Sequence, residues 1–147
     1  MAAAAFRAAG FAATLGLAGC TSLSLAPTSL DNSDWTVVSV NGQATPASAG
    51  YHMQFGQPEW HGGFGCNGMT AEYRLATDEL LIGRMDGPRF VPGSIMATER
   101  DCSGAPTGHF EGEAVAILMK PMKVRFASAR RMILANAGGR IELVRRL

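Results

Sequence analysis

Between Trp35 and Arg146 the chain is written in short alternating runs, and one stretch carries a clear helical period. That contrast narrows the folds open to it more than any other feature. "WTVVSVNG" reads as a strand ended by an Asn-Gly turn, and "YHMQF" places Tyr51, Met53 and Phe55 on one face. "EWHGGFG", "MTAEYRL" and "ELLIGRM" read as further extended runs, and the prolines from Pro88 to Pro92 read as a break in regular structure. In "TGHFEGEAVAILMK", Phe110, Ala114, Ile117 and Leu118 recur at helical spacing. Glu111 and Glu113 suit the start of that helix, Lys120 its end, and Pro121 stops it. "KVRFAS", "RMILANA" and "RIELVRR" follow, the last two joined by the hairpin signal "NAGG". The plan is mainly β, an α+β arrangement of short antiparallel strands with one helix before the last three. Such a sheet must protect its edges, and curling into a small, partly open barrel plugged by the helix does so.

The N-terminus is of a different kind. "MAAAAFRAAGFAATLGLAGC" has a positive start at the amine and Arg7, then an apolar run from Ala8 to Ala18. The run is too short for a stable bilayer span and ends in small residues, as secretory leaders do. Leu17-Ala18-Gly19-Cys20 resembles a bacterial lipobox, in which cleavage precedes a cysteine that becomes lipidated. That resemblance implies a lipoprotein signal peptide over 1–19, a lipidated Cys20, and a flexible Ser/Thr/Pro-rich tether over 20–34. The folded domain is expected over 35–147, about 113 residues (147 − 35 + 1), enough for one modest core. Thr21 follows the cysteine, where an inner-membrane retention signal would carry Asp. The expected location is therefore the cell envelope, anchored to the outer membrane and facing the periplasm.

The ordered pieces resemble the META domain family, which includes HslJ-like heat-shock lipoproteins. Trp35 opens the domain, Gly62-Gly63-Phe64-Gly65-Cys66-Asn67 matches the central Gly-x-x-Gly-Cys-Asn motif, and Tyr73 follows on a strand. "SIMATERDC", Ser94 to Cys102, resembles the family's second cysteine segment, though "TERD" stretches it, and Ala71-Glu72 stand where a glycine is common. The resemblance implies a small, partly open antiparallel barrel with a helix, in proteins linked to envelope stress, without a defined reaction.

Cys66 admits several readings. Gly63-Phe64-Gly65-Cys66-Asn67-Gly68 spells G-x-G-x-x-G, but a dinucleotide site needs its last glycine to open a helix, and a strand is expected here. A nucleophilic Cys66 would need a base from His52, His61 or His109. A metal site would gather Cys66, Cys102, His61 and His109, at spacings unlike a zinc finger's. With Cys20 lipidated in an oxidising compartment, Cys66 and Cys102 are left to pair. Closing that 36-residue loop (102 − 66) would contribute roughly 3–4 kcal/mol. Two buried free thiols are the alternative. In the disulfide reading, Gly62, Gly63, Gly65 and Gly68 serve close backbone approach and bending.

The expectation is a non-enzymatic binding or accessory module without a cofactor or metal; a thiol-dependent enzyme or redox protein using Cys66 is the alternative. Its partners would be the membrane, through the anchor, and an envelope protein or an apolar ligand in the barrel mouth. Nucleic acid is not expected, and the chain is expected to be monomeric. Charge is uneven: from Lys120 onward eight basic residues face one acid, Glu142, while residues 20–119 hold four arginines and eleven acids. Alternating strands with a charged outer face account for this, and a basic face toward anionic lipid or an acidic protein is the sharper reading.

Overall fold

The computed structural model describes residues 29–101, 104 and 108–147. Eleven antiparallel strands and one helix follow in chain order: β1 (Ser33–Val40), β2 (Gln43–Ala44), β3 (Tyr51–Phe55), β4 (Glu59–Phe64), β5 (Gly68–Ala76), β6 (Glu79–Asp86), β7 (Arg89–Pro92), β8 (Met96–Ala97), α1 (Gly108–Leu118), β9 (Met122–Ser128), β10 (Arg131–Asn136) and β11 (Gly139–Arg145). The sheet runs β7-β6-β9-β10-β11-β1-β3-β4-β5-β8, and an additional β5–β6 pairing bends it into a ring. The seam between β6 and β9 is short, just Glu79↔Lys123 and Leu80↔Met122. The barrel is therefore partly closed, as the strand pattern implies.

Alternation decides which side chains fill the interior. Tyr51, Met53 and Phe55 of β3 face inward, and so do Trp60 and Phe64 of β4. In β1, Trp35 and Val37 are buried, and the next buried residue is Val40 rather than Ser39. A bulge between Val37 and Ser39 adds one residue and shifts the phase. The β1–β2 turn uses Asn41 and Gly42 at φ 51° and 82°, the two positive values a tight hairpin turn requires.

The helix closes one end of the ring. Its predicted stripe, Phe110, Ala114, Ile117 and Leu118, is the face it buries, and Phe110 meets Tyr51 edge-on with centroids 5.8 Å apart. Asn136 Nδ2 donates to the Ile117 carbonyl at 2.8 Å, satisfying an orphan acceptor of the last turn. The helix ends at Leu118, so Lys120 lies beyond its last turn.

Two sequence expectations need amendment. The Pro88–Pro92 stretch is not irregular: Arg89–Pro92 pairs with β6, and the two prolines flank a hairpin edge where little hydrogen bonding is lost. The packed structure also takes in residues before Trp35. Leu30 is 1% exposed, the Ser33 hydroxyl donates to the Leu30 carbonyl, and Trp35 Nε1 donates to Ser33 Oγ at 2.7 Å. Leu30 thus fills the ring at the end where β1 begins. No helix among the described residues is long and apolar enough to cross a membrane.

Candidate functional site

The loop between β4 and β5 carries Gly65, Cys66 and Asn67. Gly65 holds φ 113°, a value L side chains rarely adopt, and its N–H donates to the Gly50 carbonyl at 3.1 Å. At Gly62 any side chain would press on the His52 carbonyl at 2.6 Å and on the Trp60 ring. Glycine here lets β3, β4 and the Trp60 indole pack without a gap.

Asn67, 8% exposed, is the hub of this region. Its backbone N–H donates to Glu111 Oε2 and its Nδ2 to Glu111 Oε1, both at 2.8 Å. Its Oδ1 accepts from the Thr98 hydroxyl at 2.8 Å and from the Arg100 N–H at 2.9 Å. One amide thereby ties the first turn of α1 to the irregular segment that follows β8. Arg100 is two residues from Cys102, and Cys102 itself lies outside the described residues, as does Cys20.

Beside this loop, on the outer wall, lies an open groove of 530 Å³ lined by His52, His61, Met69, Thr70, Met96 and Thr98, among others. Met96 is 67% exposed on its rim. Both hydroxyls are already engaged, Thr70 donating to the Trp60 carbonyl at 3.1 Å and Thr98 to Asn67. What remains for a ligand is thioether and methyl surface, the uncovered Cα of Gly68, and two imidazole edges.

A third feature lies at the end opposite the helix. The Tyr73 hydroxyl donates to Asp31, and Gln57 Nε2 donates to the same carboxylate. Hydrogen bonds from Tyr73 first, then Ser29 and Gln57, hold the Asp31 carboxyl below its usual value. Burial, then the facing carboxylate, push the Tyr73 hydroxyl above its usual value. This clasp fixes the incoming chain to the barrel.

The sequence-predicted residues separate into distinct roles. Trp35 is a core residue of β1, 1% exposed. Tyr73 closes the clasp and meets Phe55 edge-on at 5.2 Å. His109 lies on α1 against Phe110, whereas His52 and His61 lie on the outer wall. No three His, Cys, Asp or Glu side chains among the described residues gather to hold a metal. Gly68 opens β5, a strand, so the G-x-G-x-x-G stretch has no helix to offer a pyrophosphate. Sequence reasoning missed Glu111 as the partner of Asn67 and Asp31 as the partner of Tyr73. Glu111 looks like an ordinary acidic helix start, and Asp31 lies in a run that reads as linker.

The architecture defines a small, partly closed antiparallel barrel capped by a helix. A META domain family model matches residues 28–146, and the chain belongs to the META domain family. Two structures solved by NMR share the fold. One, from Burkholderia xenovorans, is 20% identical, with 80% of this chain and 83% of that one covered and a TM-score of 0.59. The other is 19% identical, with 78% and 90% covered and a TM-score of 0.61. No curated protein matches the sequence.

Proposed function

We propose that this chain is a non-enzymatic, lipid-anchored module of the bacterial envelope, held at the outer membrane through Cys20 and serving envelope maintenance or stress by binding a partner protein or apolar ligand. The observation that carries the binding reading is the groove beside the Gly-Cys-Asn loop. Its hydroxyls are committed to structural hydrogen bonds, and its open surface is apolar, rimmed by Met96. Such a surface suits a hydrophobic chain or peptide side chain. Cys66 and Cys102 form a structural disulfide in this reading. The Asn67 contacts support it, because they hold Arg100 against the residue that follows Cys66.

Two measurements test the proposal. The neutral fluorophore N-phenylnaphthylamine should bind saturably, and Met96→Asp should weaken binding at least tenfold without lowering the melting temperature. Binding that ignores Met96 would remove the groove from the reading. Alkylation under denaturing conditions, read by intact mass, should label Cys66 and Cys102 after reduction alone. Labelling of both without reduction would end the disulfide reading and bring back the thiol enzyme.

A further inference from the structure

The end of the barrel that receives the N-terminal segment also gathers four arginines. Arg146 N–H donates to the Asp34 carbonyl at 2.8 Å and Arg145 N–H to the Arg130 carbonyl at 3.0 Å. Arg131 pairs with Val144 across β10–β11. The β9–β10 turn, the last residues of β11 and the first of β1 therefore form one rim, carrying Arg130, Arg131, Arg145 and Arg146. The nearby carboxylates are few. Asp34 lies 3.7 Å from Arg146, and Asp31 is occupied by Tyr73 and Gln57. Among the described residues Arg130, Arg131 and Arg145 have no carboxylate within ion-pair distance. Arg130 and Arg131 are exposed. The acids of the helix, Glu111 and Glu113, lie at the opposite end.

We infer that this arginine rim rests on the anionic phospholipid headgroups of the membrane that holds the anchor, an inference that builds on the lipid-anchor reading. Position selects lipid over an acidic protein. Leu30 is packed at this same end, and ten residues (30 − 20) separate it from Cys20, a reach of at most about 35 Å. The anchor therefore brings this end, rather than the helix end, toward the headgroups. Guanidinium groups pair well with phosphate oxygens, and the attraction acts within roughly 10 Å of the surface.

The test uses the full chain carrying Cys20→Ser, so that no acyl group contributes, in flotation with vesicles of phosphatidylcholine alone or mixed with phosphatidylglycerol. The leader's apolar contribution is common to both, and the ratio of the two partition constants isolates charge. The chain should prefer the anionic vesicles at low salt and lose that preference at high salt. Arg130→Gln with Arg131→Gln should lower the ratio roughly 30-fold, about fivefold per arginine. Arg84→Gln with Arg89→Gln removes the same charge from the β6–β7 hairpin, which packs near Met119 at the helix end, and should leave the ratio within twofold. Equal loss in both pairs, or no preference in the starting chain, would overturn the inference. So would tight binding of poly-glutamate without vesicle preference, which would assign the rim to an acidic polypeptide. The anchor itself is read separately, from the acyl mass on Cys20 of the unmutated chain. A missing acyl group with the preference intact retires the anchor and keeps the rim.

Discussion

Replacing Asn67 by Ala isolates the hub that joins α1 to the Gly-Cys-Asn loop. The backbone N–H to Glu111 survives the change. The losses include the Nδ2 bond to Glu111 at 2.8 Å, a longer Nδ2 bond to the Arg100 carbonyl at 3.4 Å, and the two bonds accepted by Oδ1, from Thr98 at 2.8 Å and from Arg100 N–H at 2.9 Å. A hydrogen bond to a charged group contributes about 1.5–3 kcal/mol net and a neutral one about 1. Partial solvent access permits some replacement by water, so the expected cost is about 3 kcal/mol rather than the full sum. At roughly 4 °C per kcal/mol for a domain of this size, the melting temperature should fall by about 12 °C. Differential scanning calorimetry measures it. Glu111→Gln keeps one acceptor and sets an amide donor against the other Asn67 donor, so it should also destabilise, and Asn67→Ala on that background should show strong non-additivity. A fall below about 3 °C for Asn67→Ala, or additive single changes, would refute the hub.

Tyr51 is 1% exposed and its hydroxyl has no hydrogen-bond partner among the described residues; Tyr51→Phe should leave stability unchanged or raise it by up to about 1 kcal/mol, read by urea denaturation. Gly83→Ala would set a methyl 2.1 Å from the Val91 carbonyl, so the β6–β7 hairpin should open and its amide exchange protection should collapse. The clasp has a pH window with a definite sign. Asp31 has a lowered pKa in the fold, so its contribution is present above the ordinary carboxyl value of about 4 and is lost as pH falls through the folded value. Tyr73 has a raised one, so its contribution is present below about 10 and is lost as pH rises past that toward the folded value. The stability difference between the wild type and Asp31→Asn should therefore be a plateau in between that shrinks at both ends, and a difference constant with pH would exclude the clasp.

The inward residues of β3 were legible because alternation and burial share a period of two. The helix stripe was legible for the same reason at period 3.6, and all four of its apolar positions are buried. The β6–β7 hairpin was obscured by Pro88 and Pro92, which local rules treat as breakers although an edge strand tolerates them. β2 and β8 are two-residue strands, too short to have a period. The groove was not legible, since His52, Thr70 and Met96 are brought together only by pairing across β3, β4, β5 and β8. Asn67 was visible as part of a motif, but its bond to Glu111 spans 44 positions, and no local pattern records such a link.

The pairing of β1 with β11 has a consequence for the order of events in biosynthesis. Trp35 lies opposite Arg145, so the first long strand waits for β11, more than a hundred positions further on, before it has both neighbours. Until then Trp35 and Val37 have no complete interior to enter, and β1 keeps one edge unpaired. A ribosome-bound chain is thus denied its native barrel until β11 is free to pair. Loss of the seven residues from Gly139 to Arg145 would cost more than one strand: it would open the ring at the place where its two ends are joined.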